Sequence, residues 1–369
     1  MNEAIEYLKK VNLLDTRQER KVLHKLNEII GIAFIATLGN ANNFAEIEVF
    51  GKEHEEALRE YFELENGIPS HDTIERAFGM FNPKFLEHFQ SKFNELLNDN
   101  EGEKIKKILS IDGKTQRGNA TGTQKANHIV SAVDNDGFCL GQVKTDDKSN
   151  EITAIPELVD NLNVSGHIVT TDAMGCQTEI VKKIRKKKAD YVLALKGNQG
   201  TLHEDVELYF SDAEFLKRCA YHRTLEKARG GIEQREYWQT EDIDWLPQKK
   251  EWFGLKSIAM TKNTITKKGK VTTETRYFIS SLPTDVKEIA RAVRSHWMVE
   301  SYHWHLDVTF REDENKTIDK QAAYNLNVLK KLAINTLKLL DIGKKVSLKL
   351  KRYMISCNPV RYLGKIMGI

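Results

Sequence analysis

Paired cysteines, long apolar runs and a surplus of one charge are all missing from this 369-residue chain. Cys139, Cys176, Cys219 and Cys357 lie far apart and form no CxxC pair. That spacing argues against a disulfide framework or a zinc ribbon and suits a reducing compartment. The longest apolar stretch, Gly31 to Gly39, is too short to span a bilayer. The opening residues, Met1 to Glu6, carry no secretory hydrophobic region, so a soluble, cytoplasmic protein with no membrane partner is expected. Lys and Arg number 56 against 53 Asp and Glu, a net charge of +3. So small an excess is no global nucleic-acid signature, and any such surface must come from local clustering. There is no internal repeat and no low-complexity linker. The length allows one large domain and a smaller one.

What is present is first a change of texture. Residues 1–100 read as an all-helical N-terminal domain, with Leu23, Leu26, Ile29, Ile30, Ala33 and Phe34 at helical spacing. Ser70 is a good N-cap, Asp72 follows in the first turn, and Asn82-Pro83 signals another helix start. A helix-turn-helix fits this region, although an ordinary helical bundle is the favoured alternative. The polar stretch Asn98 to Glu103 marks a boundary.

Residues 104–340 read as α/β. Strands are expected at Ile108–Ile111, His128–Val133, Phe138–Val143, Ile168–Thr171 and Tyr191–Leu195, with helices over Ser149–Leu162 and Gln177–Lys188. Asp134-Asn135-Asp136-Gly137 is a hairpin signal. Three strands followed by helix, strand, helix, strand is the order of a ribonuclease H-like core. From about 211 to 281 the alternation breaks into a β-rich insertion, with Trp238, Trp245 and Trp252 among strand-like runs. A helix resumes near Thr284-Asp285, another covers Ala322–Leu340, and 341–369 reads as a basic C-terminal tail.

Three acids stand out against this background. Asp112 ends the run Ile108–Ile111, Asp172 ends Ile168–Thr171, and Glu300 falls in the helix after the insertion. Buried carboxylates are expensive unless something positive answers them, so the three together suggest a metal site. Asp112 alone reads equally well as a hairpin Asp-Gly, and Asp172 alone as a helix N-cap. The pair is harder to dismiss, because the ribonuclease H-like order makes their strands neighbours. Phosphoryl transfer on nucleic acid can use two magnesium ions about 3.5–4 Å apart, held by a few hard oxygen ligands. For Glu300, helical phase places Ile289, Val293, Trp297, Glu300 and Trp304 on one inward stripe, with His296, His303 and Asp307 on the same face. Two alternatives remain there. A zinc site of His296, Glu300 and His303 lacks a catalytic motif such as HExxH. A buried Glu300 paired with Arg294 or Lys287 leaves the histidines unexplained.

The strings around these acids resemble the ISAs1-type, H-repeat-associated insertion-sequence transposases, within the IS4-like group of DDE transposases. They are Ser110–Thr115, His128–Ala132, Lys148–Ile152 with Pro156–Leu158, Thr171–Gln177, Tyr191–Gln199, Arg294–Trp297 leading to Glu300, and His303-Trp304 with Leu306–Asp313. Gly67–Thr73 resembles the helical domain that precedes the core in that family. The resemblance covers nearly the whole chain. It implies a DDE triad of Asp112, Asp172 and Glu300 holding two Mg2+ ions, with Mn2+ as a substitute. It also implies DNA as substrate, cleavage at terminal inverted repeats, transfer of the freed 3′ ends to target DNA, and a homodimer during transposition. Val293, His296 and Asp307 stand where the wider group carries tyrosine, arginine and lysine, and Arg229–Glu233 departs from a histidine-glycine-arginine pattern.

For DNA contact, Lys114, Lys196, Asn198 and Gln199 lie nearest the expected centre, joined by Arg294 and His296 on the third acid's helix. The run Lys182–Lys188 is a solvated face or a phosphate surface, and Lys344, Lys345, Lys349, Lys351, Arg352, Arg361 and Lys365 are a further basic set. None of these specifies sequence by itself. Two rival readings stay open: a catalytically silent relative that only binds DNA, and a ribonuclease H-like nuclease that cleaves without joining.

Overall fold

The computed structural model describes residue 17 and residues 22–80, 82–84, 86, 87, 90, 106–145, 150–228 and 230–367. The expected boundary at 98–103, the Lys148-Ser149 start of one motif and Arg229 lie outside the described residues. So do residues 1–16 and 18–21.

The described chain opens on helices, the longest being α1 (Leu26–Leu38), α2 (Phe44–Glu53) and α3 (His71–Met80). Helix α1 is apolar on all sides, so it must be enclosed, and every residue but Asn27 is buried. Close neighbours need its glycine: a Cβ on Gly31 would lie 2.2 Å from the Phe62 ring. Asn43 caps α2 by accepting from the Glu46 amide at 2.8 Å. These helices do not bury their apolar faces alone. They share one continuous core with α8 (Lys320–Leu339) and with Ile129, Val133 and Cys139 at the edge of the sheet.

The rest is a mixed α/β unit around a nine-stranded sheet. Its strands are β1 (Ile108–Thr115), β2 (His128–Asp134), β3 (Cys139–Lys144), β4 (Ile168–Thr171), β5 (Asp190–Leu195), β6 (Ala220–Ala228), β7 (Gly231–Thr240), β8 (Ser257–Lys267) and β9 (Lys270–Ser280). The order is β3-β2-β1-β4-β5-β9-β8-β7-β6. Strands β1 to β3 form an antiparallel meander, and β4 and β5 add in parallel beside β1. The β-rich residues after α6 (Gly200–Ser211) extend this same sheet, because β9 pairs antiparallel with β5 from Tyr277 to Ser280. Along β1, Leu109 and Ile111 enter the core beneath α4 (Glu151–Asn161) and α5 (Thr178–Lys186), while Ile108 packs on the opposite side with Ile289 and Ala292 of α7 (Val286–Trp304). This is the two-residue alternation of a strand covered on both faces.

Residues beyond 341 are not a free basic extension. They form α9 (Leu348–Cys357) and α10 (Pro359–Met367), and α9 buries both Lys351 and Arg352. Arg352 donates to the carbonyls of Thr37, Ala41 and Thr309 and to Asn42 Oδ1, with its guanidinium 3.9 Å from the Phe310 ring centroid. Two of the seven basic residues once read as a DNA path are therefore internal. Among the described residues, no helix is long and apolar enough to cross a membrane.

Candidate active site

The parallel register of β1 and β4 runs Ile108 with Ile168 through Ile111 with Thr171. Asp112 and Asp172 come next along the two strand directions, so they stand side by side where the pairing ends. Asp112 is not in a hairpin turn, since β1 continues through Thr115 and Asp112 pairs with Ser131 of β2. Asp172 does not cap the following helix either. Its Oδ1 accepts from the amides of Met174 (3.0 Å) and Gly175 (3.3 Å), and α5 begins only at Thr178. Both single-residue alternatives fall.

The electrostatics fit crowded carboxylates. Burial pushes the Asp112 carboxyl up to about 7, with the charges of Glu151, Asp172 and Glu300 adding and the Gly113 amide opposing. Burial also raises Asp172; Glu151 adds to the rise, while the amides of Gly175 and Met174 and the charge of Lys196 oppose it. Glu300 is raised by partial burial, opposed by Arg276 and reinforced by Glu274, both on β9. Among the described residues, no three His, Cys, Asp or Glu side chains stand close enough to hold a metal ion as placed.

Helix α7 departs from the expected phase. Trp297 is 43% exposed, Trp304 55% exposed, and Glu300 is exposed with them. Ile289 is buried as expected, but the other buried positions are Ala290, Ala292, Val299 and Tyr302, and Ala292 and Val299 lie one residue, or about 100°, from Val293 and Glu300. Ile289 and Ala292 face the sheet where α7 crosses β1 and β2, and Tyr302 is buried against α8, donating to the Lys331 carbonyl. The tryptophan instead lies against a cation, with Arg276 5.5 Å from its ring centroid. His296 and His303 turn inward. His296 Nδ1 lies 3.0 Å from Thr170 Oγ1, and burial together with Arg276 holds its pKa down to about 4. His303 Nδ1 lies 3.6 Å from Asp112 Oδ2, and burial holds it down to about 3, so both rings are neutral. With the histidines inward and Glu300 outward, the zinc alternative has no ligand group.

The remaining candidates divide by what their side chains touch. Lys114 reaches Asp307 Oδ1 at 2.6 Å, an ion pair without hydrogen-bond alignment, and Asp313 Oδ1 at 3.2 Å. Asp307, at the group's lysine position, thus answers a lysine on β1. Asn198 donates to the Ala173 carbonyl at 2.7 Å and Gln199 to that of Cys176 at 2.8 Å, bracing the turn that carries Asp172. Lys196 and Arg294 are exposed, Arg294 with Glu226 3.7 Å away. In the run Lys182–Lys188, Lys182 pairs with Glu179, Lys183 with Asp160 and Arg185 with Asp190, so much of its charge is answered locally.

One residue was missed. Glu151, the first residue of α4, is 9% exposed and accepts or shares a proton with His128 Nε2 at 2.8 Å. It is the carboxylate that both Asp112 and Asp172 feel most strongly. The available signal was an acid just after an N-cap asparagine, where a helix dipole alone would explain it.

Comparison with known proteins shows the family. The family model described as Transposase DDE domain matches residues 103–336, and that described as DDE_Tnp_1-associated matches residues 5–94. The chain belongs to the DDE transposase family. The Putative transposase YncI of Escherichia coli O157:H7 is 40% identical over 96% of this chain and 92% of its own length. The Putative protein YbfL of Escherichia coli K12 is 39% identical, covering 88% of this chain and 87% of its own length. The H repeat-associated putative transposase YhhI of the same strain is 38% identical over the same shares. The resemblance read from the motifs is borne out, and within this DDE transposase the acid pair lies on the strands that the matched domain contains.

Proposed function

We propose that this DDE transposase cuts DNA at the terminal inverted repeats of its element and joins the freed 3′ ends to target DNA. The carrying observation is the side-by-side placement of Asp112 and Asp172 at the end of two parallel strands, in the order β3-β2-β1-β4-β5. We read that order as a ribonuclease H-like core, with β6 to β9 as the insertion before Glu300. The helices before residue 100 are assigned to recognition of the element's ends.

Asp112, Asp172 and Glu300 would hold divalent cations. The donor set fits Mg2+ or Mn2+, since it is made of hard carboxylate oxygens, and the Asp112 carboxyl is raised first by burial and then by the neighbouring charges of Glu151, Asp172 and Glu300. When bound, such ions compensate the phosphate and favour in-line displacement at phosphorus. The chain's own residues do the positioning. The Met174 and Gly175 amides, with Asn198 and Gln199 bracing their turn, fix Asp172. Neutral His303 stands against Asp112 without adding a competing cation. Glu300 would complete the set from α7 by closing on the pair, since among the described residues no three donors are within ligating reach as placed.

Incubation of the purified protein with terminal-repeat DNA and Mg2+ should give nicked ends and joined products. Asp112→Ala should lower cleavage on the order of 10³-fold or more while terminal DNA is still bound. Retained cleavage would sink the triad assignment. Hydrolysis without joining from pre-cut ends would favour the nuclease reading, and binding without either reaction the silent one.

A further inference from the structure

We propose that Glu151 is a fourth carboxylate of the metal centre, delivered to it from the opposite face of the sheet through the gap left by Gly113. This rests on the reading of Asp112 and Asp172 as divalent-metal ligands.

The geometry begins with strand alternation. Ser110 and Asp112 share the face covered by α7, as Ser110 Oγ donating to the Ser295 carbonyl and Asp112 facing His303 show. Gly113 therefore turns to the other face, beneath α4. A Cβ built on Gly113 would lie 2.2 Å from Glu151 Oε1 and 2.5 Å from His128 Nε2. Only a residue without a side chain lets the Glu151 carboxylate rest against the β1 backbone at that point, one residue from Asp112. Glycine is needed here for close approach, not for an unusual backbone angle.

Glu151 is also held ready. Asn150 Oδ1 accepts from the Ile152 amide and fixes the first turn of α4. His128 Nε2 meets Glu151 Oε1 at 2.8 Å, and Thr115 Oγ1 meets His128 Nδ1 at 2.8 Å, so one imidazole ties the carboxylate to the end of β1. A chain of hydroxyl, imidazole and carboxylate is the pattern by which outer groups orient a metal-binding one. A buried carboxylate near Asp112 and Asp172 adds its negative charge to theirs and raises both. The charge itself is what a divalent cation would use.

The test is Mn2+ titration of the full-length protein without DNA, read by isothermal calorimetry and by the paramagnetic resonance of free Mn2+. Glu151→Gln should weaken Mn2+ binding by about tenfold or more, and Gly113→Ala, which displaces the carboxylate, should show the same defect. Unchanged affinity in Glu151→Gln alongside a loss in Asp112→Asn overturns this inference and leaves the metal reading standing. Unchanged affinity in both variants overturns the two together. If Glu151→Gln does not fold, Glu151→Asp, with its carboxylate withdrawn by one methylene, should also bind more weakly, and wild-type affinity there overturns the proposal. In cleavage assays the Mn2+ concentration for half-maximal rate should rise while the saturated rate recovers. A rate lowered equally at all Mn2+ concentrations would mark a structural role and overturn it.

Discussion

The end of the sheet and helix α7 supply the same proposed centre, yet they obey different rules. On β1 and β4 the acids follow directly from apolar runs, and a fixed register brings Asp112 beside Asp172. On α7 the acid's direction depends on which face the sheet accepts, and that face carries Ala292, Val299 and two neutral histidines rather than tryptophan. A strand's facing is set by its own alternation. A helix's facing is settled by its partner, and a large aromatic is a poor guide where the helix lies close to a sheet. Ala292 fits close to the sheet, Tyr302 is buried toward α8, and Trp297 is left at the rim beside Arg276 of β9.

The largest stability effect that separates these regions should come from the far end of α7. There the helix runs into a π-helical turn, His305–Thr309, a wider winding often found near functional sites. Arg352 fastens it, linking the Thr309 carbonyl to those of Thr37 and Ala41 on the α1 side. Arg352→Met would orphan these carbonyls and should cost about 3 kcal/mol or more in urea unfolding. Lysine should not rescue, because its point charge cannot replace the planar fork. A loss below about 1 kcal/mol would mean that α7 is held by sheet packing alone.

The next effect uses pH. His296 has a folded pKa near 4 against 6.5 when unfolded, because its ring is buried neutral against Thr170. The unfolded chain therefore binds the extra proton first. Stability from this group is complete above pH 6.5 and declines as pH falls toward 4, by roughly 3 kcal/mol in all. His296→Gln should flatten that part of the stability profile relative to wild type. An equally steep decline in the variant would show that His296 does not face inward.

The sequence made the five-strand order and the acid pair legible because both rest on short-range patterns: apolar runs, a hairpin signal at Asp134–Gly137, and acids at matching run ends. The β-rich character of 211–281 was equally local. That its last strand would join β5 was not, since Tyr277 to Ser280 carry no mark of their partner. The basic residues misled for a related reason. Lys114 and Arg352 look like phosphate ligands until their partners, Asp307 and the carbonyls of α1, are brought from nearly 200 and more than 300 residues away. Glu151 stayed hidden because its meaning lies in the gap at Gly113, which only the folded sheet reveals.

The smallest effect gives the sharpest check on helix phase. Val299 is fully buried in the core shared with α8, whereas Trp297 is 43% exposed and touches Arg276. Val299→Ala removes two buried carbons and leaves a void, at a cost of about 2 kcal/mol. Trp297→Ala removes a ring that is 43% exposed and open to solvent, so no enclosed void is left, and the lost cation–π contact contributes only about 0.5–1 kcal/mol. Valine should therefore outweigh tryptophan in urea unfolding, the reverse of what the larger side chain would suggest. If tryptophan proved the costlier loss, the inward stripe would be the one that the sequence first indicated, and Glu300 would turn with it toward the core.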